Sequence, residues 1–228
     1  MKLWAPILFF FISTFTSAEW LDLKVSPSQG VNFKSEVSPL LKGLSIGLSS
    51  PDIHFPTLRH RMYVGFSVIN INNTYYSGSI PLGFGAISPS KNLTLHGTFS
   101  TFKSGTDLIL STGYGLRIVL NPETPHPWFL TLNNAALKGS EDLRFRSTNL
   151  GLYRWNTFYG FPIITGVNYN VTRGVISFQD GTRDIIEDSF YLPFVGISKS
   201  FGGFIVTPKL SWHPSVMILS LELGRNIY

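Results

Sequence analysis

Gly43-Leu44-Ser45-Ile46-Gly47 matches the Gly-x-Ser-x-Gly pattern, in which a serine hydroxyl stands on a sharp strand-to-helix turn as a nucleophile. Leu44, Ile46 and Leu48 alternate straight through the motif, which reads as small residues in a strand, not as a turn. Histidines at 54, 60, 96, 126 and 213 are the available general bases. None is spaced as a metal-ligand pair, and His96 and His126 are the two that a lipid hydrolase or acyltransferase would use. Gly113-Tyr114-Gly115 lacks the third glycine and the helix of a phosphate cradle. Asp180, Asp184, Glu187 and Asp188 surround a turn without the spacing of a Ca²⁺ loop, and read as a solvated acidic tip. Asn72, Asn92 and Asn170 each open an Asn-x-Thr triplet and read as turn asparagines. No catalytic residue, metal ligand or cofactor is indicated, and no enzymatic activity is expected.

The elements that must position such residues are set by composition. Charged residues make up 14% of the 228, against roughly 25% in an average globular chain. Aromatics also reach 14%, and there is no cysteine. Disorder, a disulfide scaffold and thiol chemistry are thereby excluded. Lys2, the apolar run Leu3–Ile12 and the small-residue end at Ala18 have the three parts of a secretory signal peptide over 1–18. Past residue 12 no run approaches the ~20 apolar residues of a membrane helix. The basic residues are scattered and the address is secretory, so nucleic acid is not an expected partner.

Period two dominates the chain beyond this leader. Leu108, Leu110, Thr112, Tyr114, Leu116, Ile118 and Leu120 alternate with Ile109, Ser111, Gly113, Gly115, Arg117 and Val119. Met62, Val64, Phe66 and Val68 alternate with Arg61, Tyr63, Gly65 and Ser67, and Leu219, Leu221 and Leu223 with Ser220, Glu222 and Gly224. Successive strand side chains point to opposite faces, so these are strands. They are separated by short turns rich in Gly, Pro, Asn and Asp. A coarse count places strands near 43–50, 60–71, 79–88, 92–102, 106–120, 127–137, 142–155, 160–171, 174–180, 185–199, 202–213 and 215–225, with no amphipathic helix.

Several runs are long enough to cross a bilayer, for which ~9–11 residues are needed. Their polar face is thinly charged and rich in Ser, Thr and Gly, which suits a lumen better than bulk water. In these respects the chain resembles a small outer-membrane β-barrel of a Gram-negative bacterium, over roughly residues 40–225. The resemblance implies an all-β, antiparallel up-and-down transmembrane barrel of about 12 strands, with 10–14 possible. Residues 42–228 would be the barrel and 19–41 a periplasmic lead-in or extra strands. Both barrel ends would face the periplasm, and the connectors 51–59, 121–127, 156–159 and 181–184 would face outside.

On this reading Arg61, Arg117, Arg144, Arg146, Lys209 and Glu222 face the lumen, and Arg154 is a further candidate. Tyr75, Tyr76, Trp128, Tyr153, Trp155, Tyr159 and Trp212 form aromatic girdles. Outer-membrane lipid, lipopolysaccharide and the barrel-insertion machinery are the expected partners. The expected function is a narrow passive pore for small solutes, with a positively biased lumen, or an envelope scaffold. A lipid-modifying outer-membrane enzyme, a secreted soluble β-sandwich or lipocalin-like binder, and an adhesion barrel with its contacts on 51–59 and 121–127 are the alternatives.

Overall fold

The computed structural model describes residues 20–23, 33–49, 62–72, 76–139, 143–178 and 182–227. The leader, Arg61, Tyr75 and the connector at 51–59 lie outside them.

One antiparallel sheet contains β1 (Met62–Asn72), β2 (Ser77–Ile87), β3 (Leu93–Ser104), β4 (Asp107–Leu120), β5 (Trp128–Lys138), β6 (Leu143–Phe158), β7 (Phe161–Ser177), β8 (Arg183–Ile197), β9 (Lys199–Phe201), β10 (Phe204–His213) and β11 (Val216–Asn226). Segment β9 continues β8 past Ser198, and both pair with β10, so the wall has ten staves. Neighbours in sequence pair throughout, and β11 pairs with both β10 and β1. The sheet is therefore a closed barrel, at the lower end of the expected strand range.

The alternation has the expected hand. Ile109, Ser111, Arg117 and Val119 are buried inside, while Leu108 at 65% and Tyr114 at 69% exposure stand outside. Phe66, Phe99, Leu150, Val171, Tyr191 and Met217 also face outward around the wall. A continuous apolar belt of this kind has no place on a soluble monomer, whose largest patches are a few hundred Å². It is a surface for hydrocarbon, which removes the soluble binder as an alternative.

Three predicted strands are corrected. Residues 160–171 and 174–180 belong largely to one strand, β7. Residues 43–50 are not a strand: Phe33–Ser49 forms helix α1, which lies inside the barrel. Val37, Leu40, Leu41, Leu44 and Leu48 recur at helical spacing and are 0–1% exposed, so the 3.6-residue period wins over the short alternation at Leu44–Leu48. No described helix is long and apolar enough to cross a membrane.

The corrections change the topology. Met62 and Asn226 share one rim, here the terminal rim, with the connections 88–92, 121–127, 159–160 and 202–203. At the opposite, distal rim β1, β3, β5, β7 and β10 end and β2, β4, β6, β8 and β11 begin. The connectors 121–127 and 156–159, the latter reduced to a turn at 159–160 because β6 runs to Phe158, thus lie at the rim of the strand ends, not opposite it. Connections are short at both rims, so their length gives no orientation.

Candidate functional site

The lumen and the helix within it form the candidate site. α1 starts near the distal rim, where Ser38 Oγ donates to Asp188 Oδ2 at 2.7 Å and Lys42 Nζ pairs with the same oxygen at 3.3 Å. It ends at mid-barrel, where Leu48 faces Gly113. Trp20–Leu23 lie at the distal rim too: Leu21 N–H donates to Ser79 O at 3.1 Å and Leu23 N–H to Ser104 Oγ at 2.6 Å. The chain therefore enters the lumen at one rim, and its first stave begins at the other.

Close approach of helix and wall rests on two glycines of the hydrolase-like motif. A Cβ on Gly43 would lie 2.6 Å from Ile71 Cγ2, and one on Gly47 would lie 3.2 Å from Ile69 Cγ2. Ser45, between them, is fully buried, meets Ser147 Oγ at 2.5 Å and donates to Asn170 Oδ1 at 3.3 Å. Its environment is hydroxyl and amide, which seats a helix. Asn170 heads a ladder across three staves: Asn149 Nδ2 donates to Asn170 Oδ1 at 2.9 Å and Asn133 Nδ2 to Asn149 Oδ1 at 3.3 Å. These amides are 0–2% exposed, so Asn170 is a buried lumen residue and not a turn asparagine.

Apolar contacts dominate around the distal half of α1. Leu40, Leu41 and Leu44 pack with Ile71, Ile109, Leu137, Phe145, Ile176, Leu192 and Ile218 in one cluster. Beyond the helix, the terminal half is lined by Tyr63, Phe84, Ala86 and Ile205 on one side and Val119, Phe129, Tyr153, Ile164 and Phe194 on the other. Between these layers Lys209 Nζ pairs with Glu222 Oε1 at 3.6 Å, both about 5% exposed. A cavity of about 10 Å³ beside this pair, lined also by Ile46, Gly47, Ser67 and Ser220, has room for about one water.

Of the predicted lumen charges, Arg117, Lys209 and Glu222 are inside. Arg117 Nη2 donates to Thr94 Oγ1 at 3.2 Å, and its guanidinium lies 5.4 Å from the Phe129 ring centre. Arg144 and Arg146 are corrected: both stand exposed on the outer wall, because Leu143, Phe145 and Ser147 take the inward positions against the plug. Arg154 is also outside, above Trp128 at 5.5 Å. The acidic tip is corrected in part, since Asp188 turns inward to hold Lys42.

The girdle divides in the same way. Trp128 and Tyr159 are exposed at the terminal rim and Trp212 at the distal rim. Tyr153 is fully buried in the lumen, and Trp155 packs beside it against Phe129. Tyr76 packs against the distal core instead of facing lipid. His96 is buried inside on β3, whereas His126 sits in the terminal-rim connector. No group of metal-binding side chains occurs among the described residues.

Sequence reasoning missed the helix and its tethers Ser38 and Lys42. The signal for them was the spacing Val37, Leu40, Leu41, Leu44, Leu48, with Ser38 and Lys42 four residues apart on the face that meets Asp188.

No family model and no curated protein matches the chain. Among solved structures, it is similar to the translocator domain of the autotransporter NalP from Neisseria meningitidis, at 10% identity and TM-score 0.41, covering 83% of this chain and 94% of that one. It is also similar to Ail, the attachment invasion locus protein of Yersinia pestis, at 8% identity and TM-score 0.27, covering 72% and 93%. A second structure of Ail, in complex with the heparin analogue sucrose octasulfate, gives 9% identity and TM-score 0.26, covering 72% and 94%. The membrane assignment rests on the chemistry of the wall, independently of these likenesses.

Proposed function

We propose that the protein is an outer-membrane barrel closed at rest by its own N-terminal helix: an envelope scaffold that passes its N-terminal segment through its lumen. The observation that carries this reading is the burial of Leu40, Leu41, Leu44 and Leu48 to 1% exposure or less inside the wall. Burying each such side chain contributes about 1.5–3 kcal/mol, so the helix is held firmly. The lumen conducts small solutes only when α1 is withdrawn. Its excess of positive charge is modest, because Lys209 is matched by Glu222 and Lys42 by Asp188. We assign no reaction to Ser45, whose role is to seat the helix on Ser147 and Asn170.

Planar-bilayer conductance of the refolded mature chain tests this. The full chain is expected to be silent, and a variant lacking residues 19–49 to show discrete openings. Steady conductance from the full chain, equal to that of the deletion variant, would show that α1 does not close the barrel. With the strand ends on the periplasmic side, Trp20–Leu23 and the whole distal rim face the cell exterior.

A further inference from the structure

On the outer wall of β5–β8 basic residues interrupt the apolar belt before the distal rim, with Val175 and Ile185 the apolar members of the row beside Arg144. The register gives successive outward rows: Leu132, Leu150, Tyr169 and Tyr191, then Asn134, Thr148, Val171 and Ser189, then Ala136, Arg146, Arg173 and Glu187. Arg144 stands one row nearer the rim, opposite Val175, and Arg183 lies beyond it opposite Ser177. Lys138, Arg144, Arg146, Arg173 and Arg183 line a groove of about 980 Å³. Among the described residues, Glu187 is the acid that meets them, 3.4 Å from Arg173 Nε. Asp184, next to Arg183, has the opposite parity on β8, and its Oδ1 accepts from Ile185 N–H at 2.8 Å, while Glu141, Asp142 and Asp180 lie outside the described residues.

Elsewhere apolar residues reach this rim, as Leu108, Met217 and Trp212 do. The basic groove is thus confined to four neighbouring staves. Arg146 and Arg173 are direct cross-strand partners on one face, a like-charge pairing that Glu187 offsets from the Arg173 side and that a further anion beside Arg146 would relieve. Guanidinium forks bind phosphate oxygens in pairs, and the polar rows of these four staves mark the depth at which lipid headgroups begin.

We propose that this groove is a binding site for the phosphates of a bisphosphorylated glycolipid, the lipid A part of lipopolysaccharide. Four staves span roughly 14 Å at ~4.8 Å per strand pair, too wide for the single phosphate of one phospholipid and suited to two phosphates carried by a disaccharide. The site rests on the proposed orientation, in which the distal rim faces the outer leaflet.

The test uses the refolded mature chain in detergent micelles with purified bisphosphorylated lipid A, dephosphorylated lipid A or phosphatidylglycerol. Bisphosphorylated lipid A is expected to bind, and Arg144→Gln, Arg146→Gln, Arg173→Gln and Arg183→Gln together to weaken it about 100-fold. Lys103→Gln, at the same rim on β3, should leave affinity unchanged. Heat-modifiable gel migration reports whether each variant is folded; if the quadruple variant is not, Arg144→Gln with Arg146→Gln is expected to lose about tenfold. Undiminished binding by a folded arginine variant, or equal affinity for phosphatidylglycerol or dephosphorylated lipid A, would overturn the site. Orientation is tested separately by labelling Thr106→Cys, in the distal turn of a chain without native cysteine, on intact cells with a membrane-impermeant maleimide. Labelling without binding sinks the site alone; absence of labelling sinks the orientation and, with it, the lipid A assignment.

Discussion

The two halves of the lumen are narrowed by different means. In the distal half the inward wall residues are mostly aliphatic, including Ile71, Ile80, Leu82, Ile109, Leu137 and Ile176, and they meet a helix. In the terminal half the wall sends in its own rings: Tyr63 stacks on Phe84 at 5.7 Å, Phe129 on Tyr153 at 5.0 Å, and Phe194 meets Tyr153 edge-on at 5.9 Å. About eight strands make a barrel that side chains alone can fill. A wall of ten staves is wider, so aliphatic side chains cannot meet across it. Large rings narrow the terminal half from two sides, in two clusters that stay separate, and a separate element fills the distal half.

Conductance offers the largest effects that could break this contrast. In the chain lacking residues 19–49, adding Phe129→Ala and Tyr153→Ala should widen the openings further in planar bilayers. The same pair in the full chain should leave it silent; conductance there would place the seal at the rings and not at α1.

Stability measurements sharpen it. Tyr153→Ala should cost about 3–5 kcal/mol and Leu41→Ala about 2–5 kcal/mol in urea unfolding, because each empties a fully buried site. The two should differ in what they release. Leu41→Ala should raise proteolysis of the N-terminal segment, and Tyr153→Ala should not. At the boundary between the halves, Glu222→Gln should cost about 3–5 kcal/mol by leaving Lys209 charged and buried, and adding Lys209→Met should recover most of it. The smallest effect is expected of Lys42→Met, about 1 kcal/mol or less, since that pair is partly open to solvent.

The wall was legible because membrane strands keep period two over ten or more residues, as β4 does from Leu108 to Leu120 with one side in lipid. Its contents were not. Leu44, Ile46 and Leu48 satisfy period two over five residues by coincidence, and Pro39 inside α1 weakened the helical signal around it. Counting that segment as a strand shifts the parity of every later connection. Splitting β7 shifts it back, which is why the junction of β7 and β8 lies opposite the barrel's terminal strand ends as expected while 121–127 does not. The same omission misplaced Arg144 and Arg146. Without a plug, polar residues belong inside; with one, Leu143 and Phe145 face inward and the arginines outward. Buried Asn133, Asn149 and Asn170 share a row only through strand register, which periodicity does not give.

Cross-linking reaches the helix most directly. Ser45 and Ser147 are 102 residues apart in sequence, with their hydroxyl oxygens 2.5 Å apart, and the chain has no cysteine to interfere. Ser45→Cys with Ser147→Cys, refolded into bilayers and oxidised, should form an intramolecular disulfide in nearly every molecule, seen as a gel shift lost on reduction. A refolded, membrane-inserted chain in which these two cysteines fail to join, and both react freely with an aqueous maleimide, would mean that α1 is not in the lumen.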